Sequence, residues 1–240
     1  MDIIKIVEKY KKELNDLYNI GWHPHKLFDT TGGAVKVCEA QALYSLIREH
    51  KYSNILEIGT GTGFSSLYFA RALKDGELNG FVDSIDVSAP HQARAKKLHI
   101  RCGLDNVNFI CGDSTKIVPL IEKEYDFCLI DGCHKYQPCK QDFINIFSKI
   151  KKGGCIAFDD IQPRINKNNP YWVWKEIVNG EIVDLEHVEI CEFDEKLCDF
   201  FSYESDMLEV KRLKNKWAKK SWIENDINPC RMMSVLMVQE

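Results

Sequence analysis

The fold is decided by the stretch Ile55-Leu56-Glu57-Ile58-Gly59-Thr60-Gly61-Thr62-Gly63-Phe64-Ser65, in which an apolar run ends in three glycines at alternate positions. The apolar run predicts a buried strand, and the residues from Phe64 onward predict a helix. Glycines between a strand and a helix allow a tight turn and a close approach of a ligand to the backbone, because they have no Cβ. The free N–H groups at the start of the helix favour an anionic group. The stretch therefore predicts a ligand-binding unit.

The glycine spacing and two nearby acids narrow the choice of ligand. A dinucleotide-binding turn reads G-x-G-x-x-G, and its third glycine packs the helix against the strand. Counted from Gly59, that third position holds Phe64, which excludes a dehydrogenase-type turn. Instead, Glu57 lies two residues before Gly59, and Asp86 ends the next apolar run. At that strand end, a carboxylate can bind both hydroxyls of a ribose.

From Tyr52 onward, apolar runs alternate with amphipathic stretches, which is typical of βαβ units. We predict an α/β Rossmann-like fold with a mostly parallel seven-stranded sheet, helices on both faces and a helical N-terminal cap. The predicted strands are 54–59, 80–87, 106–112, 125–132, 153–160, 183–193 and 232–239. The predicted helices are 2–19, 35–50, 64–74, 91–102, 115–123, 136–152 and 171–180, with Gly153-Gly154 as the stop signal of the 136–152 helix.

Length and composition indicate one domain with a full core. The chain has 240 residues, of which 45% are hydrophobic and 28% are charged, as in soluble globular proteins. We divide this single domain into a helical cap (1–50), a core that binds the cofactor (51–162) and a C-terminal region on the substrate side with the last strands (163–240).

The glycine turn with its two acids resembles the class I S-adenosylmethionine-dependent methyltransferases. Gly112-Asp113-Ser114, after the third strand, resembles the adenine-contacting element of that class. The resemblance covers about residues 33–162 and implies a methyltransferase fold with S-adenosyl-L-methionine as cofactor. The residues that it assigns to the cofactor are Glu57, Gly59, Thr60, Gly61, Ser65, Asp86, Asp113 and Ser114.

Acids also follow the fourth and fifth strands, at Asp131 and at Asp159-Asp160. This arrangement resembles the metal-dependent O-methyltransferases of the catechol and caffeoyl-CoA type. The sequence motif I-D-G-x-H resembles bacterial small-molecule methyltransferases of antibiotic pathways. Three converging carboxylates would repel one another, and a hard divalent cation relieves that repulsion. We predict that Asp131, Asp159 and Asp160 bind Mg²⁺ or Mn²⁺. The alternative is that Asp159 and Asp160 only cap the next turn.

The resemblance implies O-methylation of a hydroxyl on a small molecule. His134 lies three residues after Asp131, where the metal-dependent relatives have a general base, and an imidazole of ordinary pKa accepts protons at neutral pH. We assign catalytic roles to His134 and Asp131, with Lys135 as the alternative base. Two other functions stay open: a metal-free small-molecule methyltransferase and a non-catalytic scaffold that binds the cofactor.

Charge and hydropathy limit the partners. With 32 basic and 36 acidic residues, the net charge of −4 gives no general basic surface for nucleic acid, and the basic run Lys211–Lys220 is typical of a solvated helix face. No apolar run reaches the ~18 residues that span a bilayer, and the first residues lack the apolar centre of a signal peptide. The ten cysteines include no C-x-x-C pair, which favours reduced thiols. We expect a cytoplasmic protein, and leave open whether it is a homo-oligomer.

Overall fold

The computed structural model describes residues 1–22, 35–161, 166–192 and 233–239. In these ranges the helices are α1 (Ile3–Asn19), α2 (Val37–His50), α3 (Phe64–Asp75), α4 (Ala89–Arg101), α5 (Ser114–Ile117), α6 (Tyr136–Phe147) and α7 (Pro170–Val178). The strands are β1 (Asn54–Ile58), β2 (Phe81–Asp86), β3 (Val107–Cys111), β4 (Tyr125–Ile130), β5 (Ile150–Phe158), β6 (Val188–Glu192) and β7 (Ser234–Val238). Short 3₁₀ helices span Val118–Leu120 and Leu185–His187.

The seven strands form one sheet in the order β3-β2-β1-β4-β5-β7-β6. Strands β1 to β5 are parallel, and β7 runs antiparallel to both of its neighbours, β5 and β6. The predicted Rossmann-like fold with a mostly parallel sheet is therefore confirmed. The strand order reverses between β1 and β4, and open α/β sheets bind their ligands beyond the strand ends at such a point.

Helices cover both faces of this sheet. Because successive side chains of a strand point to opposite faces, Ile55 and Leu56 of β1 belong to different apolar clusters. The Ile55 cluster includes residues of α1, α2, α3 and α4, whereas the Leu56 cluster includes residues of α6 and α7. Helices α1 and α2 pack together as the predicted N-terminal cap. Both faces of the sheet are therefore dry, as a parallel sheet requires.

Two predicted helices are shorter than the sequence pattern indicated. The helix predicted for 115–123 ends as α5 at Ile117 and continues only as a 3₁₀ turn that contains Pro119. The prediction that Gly153-Gly154 stop the 136–152 helix is wrong, because α6 ends at Phe147 and both glycines lie within β5. Gly153 has a φ of +78°, and the pairing of β4 with β5 shifts register beside it. The glycines thus mark a bulge within a strand.

Several expectations concern residues outside the described ranges. The run Lys211–Lys220, Cys198 and Cys230 all lie there. The eight described cysteines are free thiols. No helix among the described residues is both long enough and apolar enough to cross a bilayer.

Candidate functional site

A cavity of about 420 Å³ lies at the sheet edge where β1, β2, β3 and β4 end. Its volume is in the usual range for a small-molecule site. Of the eight residues predicted to bind the cofactor, those that line this cavity are Gly59, Thr60, Gly61, Ser65, Asp86, Asp113 and Ser114. Asp131 and His134 line the same cavity. The eighth residue, Glu57, is fully buried behind the wall.

Gly59 allows the ends of β1 and β4 to meet. Its φ is +97°, and a Cβ at this position would lie 2.0 Å from the carbonyl oxygen of Asp131. The backbone N–H of Gly59 donates to Ile85 at 2.8 Å, and that of Asp131 donates to Ile58 at 2.9 Å. The turn therefore continues the pairing of three strands beyond their last residues and fixes the floor of the cavity.

The carboxylate of Asp86 is held by the two loops that flank it. Its Oδ2 accepts a hydrogen bond from the backbone N–H of Gly61 at 2.8 Å, and its Oδ1 accepts one from the N–H of Ser88 at 2.7 Å. The Nδ1 atom of His91 lies 3.4 Å from Oδ2. Because each carboxylate oxygen has a further lone pair, Asp86 can still accept hydrogen bonds from a ligand in the cavity.

Asp113 caps the first turn of α5. Its Oδ1 accepts from the backbone N–H of Thr115 at 3.1 Å and from the Thr115 hydroxyl at 2.7 Å. The hydrogen bond from the Thr115 side chain lowers the pKa of Asp113. Asp113 and Ser114 thus form a short ordered wall of the cavity, on the side away from Asp131.

The imidazole of His134 lies between two carboxylates. Its Nδ1 is 2.6 Å from Oδ2 of Asp160, and its Nε2 is 3.4 Å from Oδ1 of Asp131. The hydrogen bonds that His134 donates to Asp131, and then to Asp160, raise the pKa of His134 to about 10. The expectation of an imidazole with an ordinary pKa therefore does not describe this arrangement, in which His134 is a cation at neutral pH.

The two acids after β5, Asp159 and Asp160, differ in the contacts of their carboxylates. Asp160 has a left-handed φ of +56°, which Asp adopts more easily than most residues. Asp159 is buried, and one of its carboxylate oxygens, Oδ1, accepts from the backbone N–H of Asp160 at 2.8 Å. Single ligand atoms of Asp131, His134 and Asp160 lie within 4.8 Å of one another. The structure thus groups His134, rather than Asp159, with Asp131 and Asp160.

Sequence reasoning missed a further acid, Glu39, in the first turn of α2. It is 3% exposed, and its Oε2 accepts from the backbone N–H of Lys36 at 2.8 Å. Burial raises the pKa of Glu39, and the charge of Asp160 raises it further. In a sequence, an acid three residues after the N-cap residue predicts only that its side chain caps the helix. That pattern does not indicate that the Glu39 carboxylate also lies near Asp160. Glu39 adds a carboxylate to the group after β4 and β5.

Burial and mutual repulsion dominate the electrostatics of this acidic group. Burial raises the pKa of Asp131 to about 6, even though His134 lowers it. Burial raises the pKa of Asp159 well above its ordinary value, and the charges of Asp131 and Glu39 add to that effect. Four carboxylates face one imidazolium here, so the group attracts protons or a cation.

Comparison with known proteins confirms the resemblance to methyltransferases. Residues 56–161 match a family model described as a methyltransferase domain. A protein of Mycobacterium sp. (strain JLS) named as an O-methyltransferase is 29% identical over an alignment of 132 residues, and this alignment covers 54% of this chain and 58% of that protein. A protein of Arabidopsis thaliana named as a caffeoyl-CoA O-methyltransferase is 29% identical over an alignment of 134 residues, and this alignment covers 52% of this chain and 54% of that protein.

These alignments span little more than half the length of the two relatives. A solved structure extends the likeness of the fold over most of the chain. It is the O-methyltransferase TomG from Streptomyces achromogenes, involved in tomaymycin synthesis and solved in complex with S-adenosylmethionine. The TM-score is 0.55, at 18% identity, over 90% of this chain and 86% of that chain.

Proposed function

We propose that this protein is an S-adenosylmethionine-dependent methyltransferase that methylates a hydroxyl oxygen of a small molecule with the help of a divalent cation. One observation carries the proposal: a single cavity joins the glycine turn and Asp86 to the pair of Asp131 and His134. The first part suits a nucleoside cofactor, and the second suits an acceptor that must lose a proton. The relatives named as O-methyltransferases support the same reaction class.

The residues of the cavity fit this cofactor. Asp86 has lone pairs for ribose hydroxyls, and Asp113 and Ser114 form the wall proposed for adenine. Ser65, at the start of α3, would face the methionine part. When bound, S-adenosylmethionine would supply a methyl group on a cationic sulfur, and the carboxylates at the edge of the cavity suit that charge.

The acid–histidine group also fits a divalent cation. Ligands that surround Mg²⁺ at ~2.1 Å lie about 3 to 4 Å from one another, and the carboxylate oxygens that Asp131 and Asp160 offer lie within 4.8 Å of each other. Asp159 and Glu39 would add negative charge to the same site. When bound, the cation would lower the pKa of an acceptor hydroxyl and fix the position of its oxygen.

His134 is the residue that we propose to hold the proton of the acceptor. The imidazole can do so only when at least one of its two carboxylate partners turns away from it, because together they keep it protonated. Loss of those hydrogen bonds would return the pKa toward about 6.5, which is suitable for a base at neutral pH. Lys135 follows directly and is exposed, so it is the alternative proton acceptor.

The ion pair between His134 and Asp160 favours a second candidate, a methyltransferase that uses no metal. At 2.6 Å, the imidazolium already neutralises part of the acidic group. In this case His134 would act by orienting the acceptor through Asp131 or Asp160. Turnover in the presence of a chelator separates the two candidates.

Cofactor binding is the first test of the proposal. We expect S-adenosylhomocysteine to bind the wild-type protein in calorimetry, and the Asp86→Ala variant to bind it roughly 30- to 150-fold more weakly, since a two-point carboxylate contact contributes about 2–3 kcal/mol. Asp105→Ala, an exposed position at the far end of the sheet, is the control and should bind as the wild type does. Equal affinity in the Asp86 variant would remove this residue from the site.

A further inference from the structure

We infer that Glu57 controls cofactor binding without touching the cofactor, by setting the direction of the hydroxyl protons of Ser65 and Thr60 in the cavity wall. The inference rests on the proposed function, because the ligand that these hydroxyls meet is the methionine part of the cofactor. It assigns Glu57 the role of a positioning residue. It also links the binding of the α-ammonium group to the release of a proton.

The contacts of Glu57 form an unbroken chain of side chains behind the cavity. Its Oε1 accepts from the hydroxyl of Ser65, and its Oε2 accepts from the hydroxyl of Ser84. The Ser84 oxygen lies 2.5 Å from the hydroxyl oxygen of Thr60. The side-chain nitrogen of Gln92 donates to that same Thr60 oxygen at 2.8 Å. All five residues are buried, and of them Thr60 and Ser65 line the cavity.

The number of hydroxyl protons determines which group donates in each hydrogen bond of this series of side chains. A hydroxyl has one proton, so Ser84 cannot donate to Glu57 and to Thr60 at once. When Glu57 is ionised, Ser84 donates to it, and Thr60 must therefore donate to Ser84. The Ser65 proton is likewise engaged by Glu57. Both hydroxyls of the wall then present only lone pairs to the cavity, so they accept from a group that donates, such as an α-ammonium.

Protonation of Glu57 reverses part of this order. A protonated carboxyl must donate one hydrogen bond, and if Ser65 accepts it, the Ser65 proton turns toward the cavity. An ammonium group then meets a donor instead of an acceptor. The ammonium is bound well only by the ionised form of Glu57.

Glu57 is placed so that this change occurs near neutral pH. Burial raises its pKa to about 8, against the lowering effect of the hydrogen bonds from Ser65 and Ser84. The titratable groups that face it come from β4 and its end: the Asp131 carboxylate, which raises the pKa further, and the Cys128 thiol. Below pH 8 the free protein therefore holds a proton on Glu57. An arriving ammonium displaces that proton to solvent, so one O–H bond of the carboxyl breaks and the buffer takes up the proton.

The test is calorimetry of S-adenosylhomocysteine binding at pH 7 in buffers of different ionisation enthalpy, which counts the protons released. We expect the wild type to release close to one proton per ligand and its affinity to rise by up to tenfold per pH unit below pH 8. Glu57→Gln, which keeps the shape but cannot ionise, should bind more weakly and lose the proton release that depends on Glu57. The matched control is Asp83→Asn, because Asp83 is a buried acid on β2 that bonds with Tyr125 and does not line the cavity. This control should release protons as the wild type does.

A second variant keeps the inference testable if Glu57→Gln does not fold. Ser84→Ala removes a hydrogen bond that lowers the pKa of Glu57, so the pH at which affinity reaches its plateau should move upward. A desamino analogue of S-adenosylhomocysteine should bind the wild type without proton release. Proton release from Glu57→Gln equal to that of the wild type, or pH-independent binding by the wild type, would overturn the inference alone. Failure of the wild type to bind S-adenosylhomocysteine would overturn the proposed function first.

Discussion

Gly59 and Gly103 both have a left-handed backbone, but only one of them lies against another strand. A Cβ on Gly59 would come within 2.0 Å of the Asp131 carbonyl oxygen, whereas a Cβ on Gly103 would have nothing within 4 Å. We predict that Gly59→Ala unfolds the protein or destabilises it by more than about 3 kcal/mol, and that Gly103→Ala costs only about 1 kcal/mol from its φ of +64°. Urea unfolding of the two variants makes the comparison. Similar losses in both would show that the ends of β1 and β4 separate easily.

The positions of single residues were predictable from the sequence where a local pattern fixes their place in the fold. The glycine turn, Asp86 and Asp113 follow apolar runs directly, so the ends of the strands place them at one edge of the sheet. Glu57 follows the same pattern, yet its side chain lies in the core beneath α3. The alternation of side chains along a strand gives the face of the sheet, but it does not show whether a residue near the strand end faces the cavity or the core. Glu39 could not be assigned, because its proximity to Asp160 depends on how α2 packs on the sheet.

At the scale of elements, α4 supports the glycine turn through a buried histidine. His99 is 1% exposed, and its Nε2 lies 3.1 Å from the Ser66 hydroxyl and 3.3 Å from the Gly63 carbonyl oxygen. Its ring packs edge-on against Phe109 of β3. Helix α4, the start of α3 and strand β3 therefore meet at one neutral imidazole.

This histidine makes stability depend on pH in a defined window. Burial lowers the pKa of His99 to about 4, so the unfolded chain binds a proton at pH values where the folded chain does not. The effect is absent above about pH 6.5, and stability falls as the pH decreases from there toward 4. Between pH 7.5 and 5 we predict that the wild type loses about 2 kcal/mol more stability than His99→Gln does. Urea unfolding at both pH values measures the difference.

The control for this measurement is His187→Gln, at an exposed position, which should lose as much stability as the wild type. The buried acids Glu57 and Asp131 have raised pKa values and stabilise the fold as the pH decreases, but they do so in all three proteins. If the wild type and His99→Gln lose the same amount, then His99 is not buried as a neutral group.

Element boundaries were predicted less well than element types. Most strands and the long helices have apolar periods strong enough to define them, and the structure has them in place. The errors in the predicted helix ends occur where a proline or a glycine pair is compatible with two different local structures. Pro119 allows one helical turn and then a 3₁₀ turn, and Gly153-Gly154 allow a bulge inside β5, although the same residues are also common helix stops.

At the scale of the whole molecule, the acidic group draws on three elements that are distant in the chain. Glu39 belongs to α2, Asp131 follows β4, and Asp159 and Asp160 follow β5. The repulsion among these acids opposes the packing of α2 on the sheet edge. A cation that binds there would therefore stabilise the entire fold and not only the local loops.

We predict that Mn²⁺ or Mg²⁺ raises the melting temperature of the wild type, by several degrees when the ion is present at about 100 times its Kd. Asp160→Asn should abolish the shift. Glu39→Gln should reduce it while the helix stays capped, because a glutamine oxygen also accepts from Lys36. Glu49→Gln, at the other end of α2 and paired with Lys9 on the surface, is the control and should keep the full shift.

The dependence of methyl transfer on this cation distinguishes the two candidate mechanisms. We predict that a chelator abolishes methyl transfer to small phenols and alcohols, and that added Mn²⁺ or Mg²⁺ restores it. S-adenosylhomocysteine should still bind in the chelator, because the residues that we propose to bind the cofactor lie at or just after the ends of β1, β2 and β3. Full methyl transfer in excess chelator would contradict the metal-assisted reaction and favour the metal-free one.

The insertion of β7 between β5 and β6 has a consequence for the order of folding. Among the described residues, strand β6 pairs only with β7, and the contact of β7 with β5 joins Phe158 to Ser234, 76 residues apart (234 − 158). Closing a loop of that length costs about 4 kcal/mol of chain entropy before any contact forms. The five parallel strands are linked by shorter connections, so they can assemble first and form a template. We expect β6 and β7 to join this template last, as a slow, late phase of refolding.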